Sequence, residues 1–394
     1  MLRETPIVTR DDLKALDRDD PLASFLDRFV VEDPSLVYLD GNSLGRLSHD
    51  VVDAVQRTVT TWASDLVLAW DEWIDIATEV GDEIGTQLLG ARPGETLADA
   101  STTVNLYKLL SAASADRPGP IVCDPREFPT DRYVAGAVGD VVATIVDGAS
   151  VVVCSVVDYR TGELADMERV TREAHVAGAL MLWDCSHAVG AVPLDLRAVG
   201  ADLAVGCTYK HLCSGPGAPA WLWVRSEHHD RLRQPIAGWW GQTDRFSMDE
   251  PWNPLPGIAG WASGTPNVLG LAAVRAAVAL VTDAGIDAIR AKSIRLTSAG
   301  RDTADDLDLE WASPRDPERC GGHIAIRHEH ATAIVLALRE RGVVPDLRPP
   351  DIIRVGLSPL TTRFVDVWDG LAAIRSILDD GTWRAHVGET HRVT

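Results

Sequence analysis

Between Val51 and Leu89 apolar residues recur at helical spacing, with Trp62, Leu66, Trp70 and Trp73 on one stripe, which predicts an amphipathic pair of helices. Beyond Thr103 the pattern changes. Leu106 to Ala113 predicts a helix, Ile121 to Cys123 and Val151 to Val157 predict strands, and Asp166 to Ala177 predicts a helix. The runs Ala179 to Trp183 and Leu203 to Cys207 follow, apolar at every position rather than every second one. Such runs suit strands buried on both faces, so the alternation predicts an open, largely parallel sheet covered by helices. A long helix is predicted over Val268 to Ala284, with an Ala-rich face for close packing and Gly285 as its C-cap. The rest combines a helix near Ile286 to Asp306, strand-like Gly322 to Ile326, a helix from Ala331 to Arg341 and strand-like Ile352 to Val355, a small α+β pattern. Residues 1 to about 48 read as polar and irregular around one strand-like run, Val37 to Leu39. The predicted organisation is an N-terminal segment 1–48 packing with the small domain, a large domain 49–270 and a small C-terminal α+β domain 271–394.

Length and charge narrow the function. A chain of 394 residues exceeds the roughly 250–300 at which single cores stop growing, which agrees with a second domain. With 37 basic and 58 acidic residues the net charge is −21, which disfavours nucleic acid and anionic membranes as partners. The charged N-terminus lacks the apolar stretch of a secretory signal, and Asp140, Asp147 and Arg275 interrupt the longer apolar runs. The 6 cysteines show no CxxC pairing, as expected of free thiols in a reducing cytoplasm. His228-His229 and His328-Glu329-His330 lack partner cysteines and the HExxH spacing, so they are expected to be solvated and no metal site is predicted.

The chemistry concentrates between Trp183 and Pro219, WDCSHAVGAVPLDLRAVGADLAVGCTYKHLCSGPGAP. One apolar run ends at Asp184 and the next leads to Tyr209-Lys210 before a Gly/Pro turn. A carboxylate and a lysine delivered by two adjacent strands can converge on one ring, the carboxylate pairing with a pyridine nitrogen and the amine holding the cofactor covalently. Taken singly, an Asp after a strand is usually a helix cap and a Lys before a turn usually a solvated side chain; the two together carry the reading. Ser101-Thr102-Thr103 precedes a predicted helix, where hydroxyls and backbone N–H groups serve either as an ordinary N-cap or as a phosphate site.

These segments resemble the kynureninase family of pyridoxal phosphate enzymes. Besides WDCSHAVGAVPLDL and GCTYKHLCSGPGAPAWLWV, the landmarks are YLDGNSLG (Tyr38 to Gly45), STTVNLYKLL (Ser101 to Leu110), EFPTDRY (Glu127 to Tyr133), VDYRTG (Val157 to Gly162), GWWGQ (Gly238 to Gln242) and GIAGWASGTPNVL (Gly257 to Leu269). The resemblance implies the pyridoxal phosphate-dependent transferase fold of the α/β class, a mainly parallel seven-stranded-type sheet between helices plus a small α+β domain, with 49–270 binding pyridoxal 5'-phosphate. It implies Lys210 and Asp184 as catalytic residues. Cofactor contacts would come from Thr102 and Thr103 at the phosphate, Phe128 stacked on the ring, Asp131, Ser155 and His187 beside it, and Tyr209 at the phosphate. Trp239 and Thr265 would reach the cofactor of the opposite subunit, making the protein a homodimer with active sites at the subunit interface. Ser43, Trp70 and Arg354 would bind substrate, Arg354 clamping an α-carboxylate.

The implied reaction is hydrolysis of L-kynurenine or a substituted relative to an anthranilate and L-alanine, in a cytoplasmic enzyme of amino-acid metabolism. Departures from the family pattern cluster where the substrate side chain would lie: Ala69-Trp70-Asp71-Glu72-Trp73, His211-Leu212-Cys213, Gly241-Gln242 and Gly260-Trp261-Ala262. They point to a substituted kynurenine in a biosynthetic paralogue, or alternatively to a pyridoxal phosphate lyase or decarboxylase acting on another amino acid such as a cysteine S-conjugate. Cys320 before Gly321-Gly322 invites comparison with the mobile-loop cysteine of cysteine desulfurases, although the surrounding motifs follow the kynureninases.

Overall fold

The computed structural model of the protein describes residues 8–247 and 251–390; residues 1–7 of the N-terminal segment lie outside them. The chain forms two compact units, one of residues 50–156 and 165–283, the other of residues up to 49, 157–164 and from 284 onward.

In the larger unit the described strands form a 7-stranded sheet, ordered Thr96–Ala98, Trp221–Val224, Leu203–Gly206, Leu180–Asp184, Val151–Ser155, Ile121–Cys123, Val141–Val142. From Leu203–Gly206 to Val141–Val142 every pairing is parallel, whereas Trp221–Val224 runs against both of its neighbours. The predicted parallel α/β sheet is the one observed. Strands Leu180–Asp184, Leu203–Gly206 and Trp221–Val224 are buried along their length, and Trp183, Trp221 and Trp223 are wholly enclosed. Trp183 also donates its indole N–H to Thr171 Oγ1 at 3.1 Å, fastening helix Met167–Val176 to the sheet. Gly206 stands opposite Trp221 in the register, and a Cβ there would meet the Trp221 ring at 2.5 Å. Only glycine leaves room for that indole.

Strands Thr96–Ala98 and Trp221–Val224 were absent from the sequence-based pattern. Both are too short to show a period of their own, and pairing with each other and the sheet makes them strands. The Val51 to Leu89 region is helical as predicted, but broken into His49–Asp65, Trp70–Trp73 and Ile76–Leu88, the first break falling at Leu66 with φ 52° and the second at Asp75. Its apolar stripe is not a core face throughout: Trp62 is 57% and Leu66 64% exposed, whereas Trp73 is buried. The long helix Val268–Ala284 packs Ala273 and Ala277 against Val51, the close approach its small residues permit.

In the smaller unit a 4-stranded sheet is ordered Val37–Leu39, Val343–Arg348, Ile352–Gly356, His323–Arg327. Helices Ile286–Asp306, Ala331–Glu340 and Phe364–Asp380 supply a core around Leu39, Leu296, Ile334, Ile353, Phe364 and Leu371. The N-terminal segment is not irregular. Helix Arg10–Arg18 is set by a capping box between Thr9 and Asp12 and buries Leu13 in this core. Its high charge hid the two apolar anchors, Leu13 and the partly buried Leu16, from the periodicity. Gly285, at φ 79°, both follows the long helix and caps the start of Ile286–Asp306.

Candidate active site

The carboxyl ends of the parallel strands carry Ser155, Asp184 and, just beyond the next strand, Lys210, the position at which open α/β sheets bind ligands. Ser155 and Asp184 end adjacent strands and are register partners. Asp184 is buried, and its Oδ1 accepts the Ser186 amide at 2.7 Å. Lys210 follows Leu203–Gly206 in a turn closed by the Cys213 amide donating to the Lys210 carbonyl at 3.0 Å, with Cys213 at φ 62°. Its Nζ lies 3.0 Å from His187 Nε2 and 6.0 Å from the centre of the half-exposed Phe128 ring. The structure thus brings Lys210, His187 and Phe128 together, with Asp184 three residues before His187.

Asp131, in the first turn of helix Pro129–Val138, is buried against Asp184. Burial and the neighbouring charges of Asp184 and Glu127 raise its pKa well above the usual carboxylate range, and its Oδ2 receives no hydrogen bond. Glu127 accepts from the Ser155 hydroxyl at 2.5 Å and the Ser155 amide at 3.1 Å, and burial raises its pKa despite those bonds. Glu127 was not singled out from sequence. The signal was its place in EFPTDRY beside two residues that were. Tyr209 is half-buried, and burial with the nearby Cys207 raises its phenol pKa.

Helix Thr102–Asp116 begins four residues before the predicted Leu106, with Ser101 as its N-cap, its Oγ accepting the Val104 amide at 3.3 Å. Thr103 is exposed at this N-terminus and Thr102 half-buried, while Ala100 at φ 53° turns the chain sharply into the helix. Behind that turn the wholly buried Lys108 bonds Asp99 at 3.1 Å and the Trp261 carbonyl at 2.9 Å. Trp70 packs on Trp240, ring centres 5.3 Å apart, and Trp240 in turn meets the exposed Trp239 at 4.9 Å. Trp240, which sequence reasoning passed over, is therefore the ring that links two predicted ones. Thr265 is exposed on the segment after Trp261.

In the smaller unit, Ser43 and Arg354 meet: Arg354 Nη2 donates to Ser43 Oγ at 3.0 Å. Asp40, Asn42 and Asp346 surround the same guanidinium and were not singled out as site residues. Two histidine readings are corrected. His228 is not solvated but bonds Asp202 at 2.6 Å, and His330 stacks on Trp383 with ring centres 4.4 Å apart. Cys320 is buried, and burial pushes its thiol up to about 11, the opposite of an activated thiolate.

A kynureninase of Burkholderia pseudomallei (strain K96243) is 37% identical over 406 residues, spanning 96% of this chain and 97% of that protein. The chain belongs to the kynureninase family. A kynureninase of Pseudomonas fluorescens is 35% identical over 419 residues, 98% of this chain and all of that one. The model of the kynureninase C-terminal domain matches residues 289–374, which include the core helices Ile286–Asp306 and Phe364–Asp380 in large part. Among solved structures, the apo cysteine desulfurase from Thermococcus onnurineus NA1 superposes with a TM-score of 0.76 at 18% identity, covering 96% of this chain and all of that one. The cystine C-S lyase C-DES, in complex with its product cysteine persulfide, gives a TM-score of 0.76 at 16% identity, over 87% of this chain and 98% of that one. These likenesses show the fold, the one implied by the kynureninase motifs.

Proposed function

We propose that the protein is a pyridoxal phosphate-dependent hydrolase that cleaves L-kynurenine, or a ring-substituted kynurenine, to an anthranilate and L-alanine. The observation that carries this reading is the convergence of Lys210 and His187 beside the buried pair Asp131 and Asp184, in a chain of the kynureninase family. The site fits the cofactor. A protonated ring nitrogen would satisfy the acceptor-rich carboxyl pair, including the Asp131 oxygen that receives no hydrogen bond. Lys210 would hold the cofactor covalently, Phe128 would lie on its ring, Ser155 and His187 beside it, and Thr102, Thr103 and Tyr209 at its phosphate. When bound, pyridoxal phosphate supplies an electron sink for the substrate's Cα.

The remaining work falls to side chains of this protein. Lys210 moves the proton at the substrate's Cα, and His187 at 3.0 Å shares that proton's hydrogen-bond path. Arg354 and Ser43 hold the substrate carboxylate, and Trp70 borders its aryl group. The overall change adds one water across the Cβ–Cγ bond. Holding ketone and carboxylate rigidly is where the protein lowers the barrier.

We also propose a homodimer in the cytoplasm. Trp62, Leu66 and Val67 are 57 to 73% exposed and Leu269 is 36% exposed; with Trp70 they border a groove of about 460 Å³, an apolar surface of the kind a second copy covers. Trp239 and Thr265, both exposed, would then serve the partner's site. The free cysteines suit a reducing compartment.

Purified holoenzyme incubated with L-kynurenine, 3-hydroxykynurenine and an S-alkyl cysteine decides the reaction. Anthranilate or 3-hydroxyanthranilate with an equal amount of L-alanine is the expected outcome. Turnover of the cysteine conjugate alone, releasing a thiol, would replace this reading with the lyase. Preference for a substituted kynurenine would mark a biosynthetic role.

A further inference from the structure

Asp346 and Arg354 face each other across the antiparallel pairing of Val343–Arg348 with Ile352–Gly356. Both are enclosed, Arg354 at 0% and Asp346 at 1% exposure. Asp346 is satisfied as an anion: it accepts the Leu347 amide at 2.7 Å and Arg348 at 3.0 Å, pairs with Arg354, and lies 3.3 Å from the Ser43 hydroxyl. Arg354 is almost as fully engaged. Nη1 donates to the Tyr159 carbonyl at 2.6 Å and Nη2 to Ser43 Oγ at 3.0 Å. Asn42, with its amide oxygen turned to the guanidinium, accepts from Nε and Nη2 at 3.0 Å.

A second carboxyl is buried in this cluster and is only partly satisfied. Asp40, just after Val37–Leu39, is 5% exposed, and its Oδ1 has no hydrogen-bond partner. Facing it are Asp346 and Arg348 from one strand, Arg354 from the next, and Ser43 from its own turn. Burial and the charge of Asp346 push Asp40 up to about 6, against a hydrogen bond from Ser43 and the pull of the two guanidiniums. With both carboxyls ionised, two guanidiniums and two carboxylates cancel, and the cluster offers an arriving anion no net charge. With Asp40 neutral, one positive charge is uncovered.

We propose that Asp40 takes up a proton when a ligand carboxylate binds at Arg354, so that the protein binds its substrate's carboxylate together with one proton. This rests on Arg354 being the carboxylate site in the reading above. The sign follows from linkage. A nearby anion disfavours a second one, so the pKa of Asp40 is higher in the complex than in the free protein. Below the free value the affinity is flat; between the free and bound values it falls about tenfold per pH unit, because the complex holds the extra proton. A neutral ligand of the same shape has no such dependence.

The test uses holoenzyme and 4-oxo-4-phenylbutanoate, which has the carboxylate and aryl ketone but no amine to react with the cofactor. Calorimetry in buffers of different ionisation enthalpy, at about pH 7, counts the protons taken up. Wild type is expected to take up close to one proton more than Asp40→Asn, and the variant's affinity to vary less than about twofold where wild type weakens about tenfold per pH unit. Equal uptake in both proteins overturns the proposal. If Asp40→Asn does not fold, wild type decides: uptake with the carboxylate and none with 4-oxo-4-phenylbutanamide supports it, and no uptake overturns it. Arg354→Gln separates the two readings. Undiminished affinity there removes the Arg354 site and the proposal with it, whereas Arg354-dependent binding without Asp40-dependent uptake overturns the proposal alone.

Discussion

Lys210 Nζ sits 3.0 Å from His187 Nε2, joining the turn after one central strand to the turn after its neighbour. In the proposed function an amine held there would both attach the cofactor and pass a proton. Borohydride reduction of the holoenzyme followed by peptide mapping should place the label on Lys210. Lys210→Ala should lower kcat/KM by about 10³-fold or more, with the fold unchanged by circular dichroism. A label on another lysine ends the assignment.

Asp184 is expected to matter more for turnover than for retention of the cofactor. Asp184→Ala removes the buried carboxylate that Ser186 orients, and with it the proposed charge partner of the cofactor ring, on which an electron sink would depend most as the reaction proceeds. Cofactor affinity should fall modestly and kcat by about 10²-fold or more. Comparing the cofactor Kd by absorbance titration with kcat tests the split; equal losses in the two would assign Asp184 to binding alone.

Glu127 sets a pH dependence of stability. Its folded pKa is raised by burial, so the folded protein holds more protons than the unfolded chain. Its stabilising contribution is therefore present below the ordinary carboxylate range and lost as pH rises through the raised value. Glu127→Gln, which keeps an oxygen for Ser155, should gain thermal stability relative to wild type as pH rises. Melting curves of cofactor-free protein over about pH 5–8 measure it, and a constant difference in Tm would show that Glu127 does not titrate there.

Lys108 is wholly buried between Asp99 and the Trp261 carbonyl. Lys108→Ala strands the Asp99 carboxylate and should destabilise the protein by about 3–5 kcal/mol. Lys108→Met together with Asp99→Asn, which removes the charge from both partners, should lose distinctly less. Urea denaturation of both variants checks this, and equal losses would mean that the charge pairing is not what the lysine contributes.

The strand ends that carry the candidate chemistry were legible along the chain, because uninterrupted apolar runs and Gly/Pro turns act over a few residues. Helix Thr102–Asp116 begins four residues before the apolar spacing that announces it at Leu106, whereas Asp184 and Lys210 could be located in that way. Strands Thr96–Ala98 and Trp221–Val224 could not, since three or four residues hold no period of their own and non-local pairing makes them strands. Trp62 and Leu66 mark the opposite error: helical spacing shows which residues share a face, not whether anything covers it.

By itself, then, the order of residues determined the alternating α/β pattern, the family motifs and the identities of the lysine, carboxylate and arginine candidates, all of them properties of local segments. Only the tertiary structure decided that Glu127 closes on Ser155, that Asp131 lies against Asp184, and that Asp40 and Asp346 crowd Arg354 from strands some 300 residues apart in numbering. The reason is physical: the protonation of a carboxyl is set by burial and by the charges facing it, and both arise only when distant strands are brought side by side.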